Sequence, residues 1–159
     1  MVVQTNLLII SREYPPASEG GISRRLSGII PHLLDLGINV DVVCFSGQSM
    51  FGESVHSIRP ISPILYTQAR EPQLSDSIKV LYDIYRLNKF AESILKSKKF
   101  NLIQIEDPVF TPFLNTNITK IVTVHTTQIG EFLSLLKSFK RLGQLKRLLF
   151  SFIFGILFD

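Results

Sequence analysis

The 159 residues contain a single cysteine, Cys44. That excludes an internal disulfide and fits a reducing compartment. Cys44 ends the apolar run Val40, Val42, Val43 and reads as a buried structural thiol. Three dispersed histidines and unclustered carboxylates provide no metal-ligand set, so a metal is expected to be dispensable. The N-terminus lacks a basic flank, and Gln4 and Asn6 break its apolar run, so no secretory signal is legible and the cytoplasm is the expected location. A bilayer span needs about 20 apolar residues. The charge-free segment 148–158 has 11 and abuts Lys146 and Arg147, which argues against a transmembrane helix. No G-x-G-x-x-G follows the first apolar run, no acid ends the second, and no Walker A pattern occurs. A nicotinamide dehydrogenase and a P-loop enzyme are therefore disfavoured.

What remains is a globular composition, 45% apolar and 19% charged, of a length suited to one domain. A mean hydropathy of +0.26 is high for a self-contained domain and implies apolar surface that meets a partner or a membrane. The net charge of +4 is local in origin. Lys137, Lys140, Arg141, Lys146 and Arg147 place +5 within residues 137–147, which leaves 4 − 5 = −1 for the rest. Any anionic partner outside a ligand cleft is expected at that segment.

Residues 2–10 end in Leu7-Leu8-Ile9-Ile10, the pattern of a strand buried on both faces. A turn-rich loop over 11–21 leads to Ile22, Leu26, Ile29, Ile30, Leu33 and Leu34. These form one face of an amphipathic helix, with Gly37 as its C-terminal cap and a bend expected near Pro31. Residues 39–45 read as a second strand, completing a βαβ unit with a parallel sheet. Beyond a long connection over 46–72, with a short strand expected around 61–66, a helix runs from about Ser75 or Asp76 to about Lys98. Strands are expected at 101–106 and 120–125, with a helical turn or two between them at 109–114. The fold class is α/β, a Rossmann-like open parallel sheet flanked by helices. Residues 1–135 form that domain, and 136–159 a basic, then apolar, helical segment.

The loop Ser11-Arg12-Glu13-Tyr14-Pro15-Pro16-Ala17-Ser18-Glu19-Gly20-Gly21 carries the main functional signal. Paired glycines before a helix let backbone N–H groups approach an anion where the helix end favours negative charge; they also suit a plain tight turn. The strand, Pro-Pro loop and Gly-Gly turn, followed by Gly37-Ile38-Asn39-Val40-Asp41-Val42, resemble the opening of retaining, GT-B-fold glycosyltransferases of family 4. Asn101-Leu102-Ile103-Gln104-Ile105-Glu106-Asp107-Pro108 is similar to that family's D-x-I-x-x-x-D strand. Ile121-Val122-Thr123-Val124-His125-Thr126 is similar to its V-x-T-x-H strand. The likeness covers roughly residues 6–135 and identifies the chain as resembling an N-terminal, acceptor-side domain.

By that resemblance Gly20 and Gly21 face the donor phosphate, and His125 lines the cleft as the catalytic-site residue. Arg12, Glu106 and Asp107 lie on the acceptor side. Adjacent strand residues point to opposite faces, so at most one of Glu106 and Asp107 enters the cleft. His32, on the helix, and His56, in an irregular loop, receive no role. In the family a second domain holds the nucleotide sugar, the co-substrate expected of the complete enzyme, and carries two glutamates separated by seven residues. No two glutamates here are eight positions apart. The reading is therefore a chain truncated before that domain, whose partner is the missing domain or a separate subunit, and inactive alone. Residues 137–158 suit either an anionic membrane surface, which makes peripheral membrane attachment an expectation, or packing against the missing domain. Nucleic acid is not expected as a partner. The contrasting readings are a non-catalytic remnant or partner subunit, and another GT-B enzyme such as a sugar-nucleotide epimerase.

Overall fold

A computed structural model describes residues 4–18, 20–61, 74–106 and 114–124. Its elements, in chain order, are β1 (Asn6–Ile10), α1 (Gly21–Asp35), β2 (Asn39–Phe45), β3 (Ser54–Ile58), α2 (Leu74–Ser97), β4 (Leu102–Ile105) and β5 (Thr119–Val122). The strands form one sheet in the order β3-β2-β1-β4-β5, and every neighbouring pair is parallel. This is the Rossmann-like α/β architecture expected from the βαβ pattern.

The alternation of side chains along each strand sorts the core into two layers. Leu7 and Ile9 of β1 and Val40, Val42 and Cys44 of β2 face α1, where Ile22, Leu26 and Ile30 meet them. Leu8, Ile10, Val43, Phe45, Ile103 and Ile105 face the other way, onto Ile84, Leu87 and Ala91 of α2. The unbroken apolar run of β1 is explained by this arrangement, since a central parallel strand is covered on both faces.

The helix α1 ends as its sequence predicts. Gly37 takes φ +76°, a left-handed conformation in which a side chain is strained. Its N–H donates to Leu34 O at 2.9 Å and that of Ile38 to Leu33 O at 3.0 Å, closing the helix in a Schellman motif. Pro31 lies inside the helix, as read from the sequence.

The third described strand, Ser54–Ile58, was not anticipated; of the strand expected around 61–66, Ile61 is not in a strand and the rest falls outside the described residues. His56, expected in an irregular loop, is a strand residue whose Nε2 lies 3.0 Å from Asp41 Oδ1. A strand held partly by a polar cross-strand pair has a weak apolar signature, which is why Ser54–Ile58 does not read as a strand. The expected turns at 109–114 fall mostly outside the described residues, and Leu114 itself is not helical. Residues 62–66 and 136–159 also lie outside them.

Candidate functional site

In an open parallel sheet the ligand crevice lies beyond the carboxyl ends of the strands, where the strand order reverses. Here that point falls between β1 and β4, the central strands of the order above. The carboxyl rim is built by a row of backbone bonds, one from the first residue after each of β1, β2, β4 and β5. Ser46 N donates to Ile58 O, Ser11 N to Val43 O, Glu106 N to Ile10 O and Thr123 N to Ile105 O, at 2.8–3.2 Å. Ser11 and Glu106 therefore flank the crevice from its two sides.

The loop leaving β1 is pinned before it reaches α1. Ser11 Oγ donates to Glu13 O at 2.7 Å and accepts from Glu13 N at 3.2 Å. Pro15–Pro16 is a cis peptide, and Gln48 N donates to Pro15 O at 3.1 Å. Tyr14 is fully buried, and its hydroxyl donates to Glu53 Oε1 at 2.7 Å. Glu53 also accepts from the N–H groups of Met50 and Phe51, each at 2.8 Å. Burial by itself would raise the Glu53 pKa, but these hydrogen bonds outweigh it and hold the carboxyl below its usual value. Burial, then the neighbouring Glu53 carboxylate, pushes the Tyr14 phenol up. Cys44 is likewise pushed up to about 12 by burial, an inert thiol as its sequence context indicates. Beneath the loop, a side chain at Gly47 would meet Cys44 Sγ at 2.6 Å and Tyr14 Cδ1 at 2.9 Å. Glycine is required there by packing.

The two candidate phosphate-facing glycines differ. Gly20 is the N-cap of α1, has no side-chain cap and lies against the carboxylate of Glu13, into which a Cβ would run. Its smallness therefore serves an internal acid. Gly21, the first helical residue, is exposed with open space around it. No acidic side chain occupies the first turn of α1. Arg12, beside this loop, has its Nε 3.9 Å from Glu13 Oε1.

Glu106 stands at the end of β4 as the strand pattern requires, and it is fully buried. It shares the α1 face with Gln104, two residues earlier. Gln104 Nε2 donates to Glu106 Oε1, and Arg25 Nη1 donates to Glu106 Oε2 at 2.5 Å. The crevice is thus bordered by an Arg25–Glu106–Gln104 cluster whose arginine sequence reasoning missed. Arg25 and Glu106 are 81 positions apart, and no local pattern links them. The available clue was parity: counting on from Ile103 and Ile105 puts Glu106 on the opposite face, the one that α1 covers. Asp107 and His125 lie outside the described residues; of the rest of the expected set, Arg12, Gly20 and Gly21 lie on the chain from β1 to the start of α1 and Glu106 directly follows β4.

Besides Glu53 and Asp83, a further buried acid lies at the opposite end of the sheet. Asp41, on the α2 face, takes His56 Nε2 at 3.0 Å and Lys98 Nζ at 2.5 Å. A shallow cavity of about 350 Å³ near the C-terminus of α2, lined by Lys89, Glu92, Lys96 and Asn115 among others, is also remote from the switch point. Among the described residues no group of three or more His, Cys, Asp or Glu side chains is placed to hold a metal, and no helix is long and apolar enough to cross a membrane. No protein-family model and no curated protein matches the chain.

Proposed function

We propose that this chain is the acceptor-side domain of a retaining glycosyltransferase, one wall of a cleft in which a sugar passes from a nucleotide sugar to a glycan or lipid-linked acceptor. The observation that carries the reading is the switch-point crevice between β1 and β4, with the start of α1 and Glu106 on its borders. The ordered resemblance of the loop, β4 and β5 segments to family 4 enzymes supplies the reaction class. That ligands of open parallel sheets bind at such switch points supports a phosphate-bearing substrate there. Transfer requires donor and acceptor to be held together, so this wall acts with a donor-holding half, in the same polypeptide or as a second subunit. The cytoplasmic face of a membrane, where lipid-linked acceptors meet soluble nucleotide sugars, is the corresponding location.

The test is transfer itself. The chain is incubated with radiolabelled UDP- and GDP-sugars and a membrane lipid extract, alone and with the polypeptide encoded immediately downstream. Label in glycan or lipid only when both are present is the expected result. Label from the chain alone would overturn the two-half requirement, and label from neither would overturn the transferase reading.

A further inference from the structure

We infer that Arg25 is a phosphoryl-binding residue of the β1–β4 crevice, held in place by Glu106. The inference rests on the reading of that crevice as phosphate-facing and assigns the residue that grips. Glu106 is 0% exposed, whereas the Arg25 side chain is 37% exposed. The pair therefore joins a fixed, buried anchor to a cation that still reaches solvent. Glu106 Oε1 is engaged by Gln104 and Oε2 by Arg25 Nη1, so the carboxylate cannot turn away without breaking both contacts.

A guanidinium has five N–H donors in a rigid fork. Of these, Nη1 goes to Glu106, and among the described residues the rest of the fork makes no hydrogen bond. The remaining donors lie beside the end of β4, where the sheet's strand order reverses. Simple neutralisation of Glu106 would be met by an ammonium, whereas a planar fork anchored on one side and open on the other matches two phosphoryl oxygens. Arg12 is less suited to the task, because its Nε faces Glu13 at 3.9 Å, within the loop. Glu13 in turn sets a carboxylate against Gly20, which repels an anion on that side. Charge thus directs the ligand away from Glu13 and towards Arg25.

A phosphoryl group could arrive on a soluble diphosphate or on a lipid headgroup, so the experiment has two arms. In the first, the ¹⁵N-labelled full chain is titrated with pyrophosphate at low salt while the Arg25 Nε–H and the backbone amides of Ser11, Gly21 and Glu106 are followed. In the second, the chain is cosedimented with phosphatidylcholine vesicles, with and without phosphatidic acid. Arg25→Lys keeps the charge and loses the fork. The double variant Arg25→Gln/Glu106→Gln removes both charges together, so no buried carboxylate is stranded.

The expected result is a saturable shift at Arg25, weakened roughly tenfold or more in the double variant and partly retained in Arg25→Lys. Pyrophosphate binding points to a soluble diphosphate, and Arg25-dependent sedimentation only with phosphatidic acid to a lipid phosphate. Either supports the inference. Crevice amides that still shift in the double variant with wild-type affinity overturn the role of Arg25 and leave the phosphate-facing reading standing. Absence of saturable binding in both arms overturns both.

Discussion

The two faces of the sheet repeat one device at opposite ends. Each has an apolar layer under a helix, and each includes a buried strand or strand-end carboxylate set against cations that reach solvent; the α2 helix adds a third such acid, Asp83 with Arg86. On the α1 face the acid is Glu106, at the carboxyl end of β4, with Arg25. On the α2 face it is Asp41, near the amino end of β2, with His56 and Lys98. Local chemistry alone does not separate them. Position does, since ligands approach open parallel sheets from the carboxyl ends. One acid closes the bottom of the sheet, while the other holds a cation at the mouth of the crevice.

The largest effect should come from the layers themselves. Leu26 and Leu87 are fully buried under α1 and α2 respectively. Truncating either to alanine is expected to cost about 2–5 kcal/mol in urea unfolding, with the cavity left behind adding to lost burial. The comparison is sharpened by binding. Leu26 neighbours Arg25 on α1, so Leu26→Ala should also weaken pyrophosphate binding, whereas Leu87→Ala should leave it unchanged. Equal weakening by both would mean that the faces are not functionally distinct.

Gly47→Ala tests the support beneath the crevice loop. Its new methyl would press on Cys44 Sγ and the Tyr14 ring, both immobile in the α1-face core. Overpacking of this kind costs about 1–3 kcal/mol, read from a chemical denaturation midpoint. Both contacts lie on the α1 face, so amide exchange should quicken first in β1, β2 and the loop between β1 and α1.

Tyr14→Phe removes one hydrogen bond to a charged partner and should cost about 1–2 kcal/mol at neutral pH. The sign of its pH dependence follows from Glu53, whose folded pKa is lowered. A depressed carboxyl contributes stability that is complete above its unfolded pKa and is lost as pH falls through the folded value. Without the phenol the folded pKa moves back up, so that contribution shrinks. The gap between wild type and Tyr14→Phe should therefore be full above about pH 5 and narrow on further acidification. A gap that widens in acid would contradict the assigned hydrogen bond.

The features legible in the sequence were those carried by periodicity over short spans. The Leu7–Ile10 run, the apolar stripe of α1 and Gly37 as its cap follow from local sterics and burial, and they fixed the βαβ unit. The strand Ser54–Ile58 was not legible because much of its hold on β2 is polar, through the part-buried contact of His56 with Asp41. At the site, the end of β4 was legible through Glu106, but its partner was not. An ion pair across 81 residues depends on how α1 is rotated over the sheet, which only packing decides. The paired glycines were read as a phosphate-facing or plain tight turn, and nothing in the sequence brings the Glu13 carboxylate back against Gly20.

The smallest predicted effect is also the sharpest control. Lys98 is 41% exposed, and its ammonium reaches Asp41 Oδ2 at 2.5 Å while lying 5.6 Å from the Phe100 ring centroid. Lys98→Met keeps most of the aliphatic stem and leaves His56 on the other carboxylate oxygen, so Asp41 is not stranded. The cost should be about 1 kcal/mol, in the range of partly exposed ion pairs, and should shrink further in high salt. Pyrophosphate affinity should not move, although this variant and Arg25→Gln/Glu106→Gln each disturb one buried acid and its cations. If Lys98→Met weakened the anion as much as the crevice variant, the protein's overall positive charge would account for binding. If it does not, the difference belongs to place: of these two clusters, only the one at the point where the strand order reverses grips a ligand.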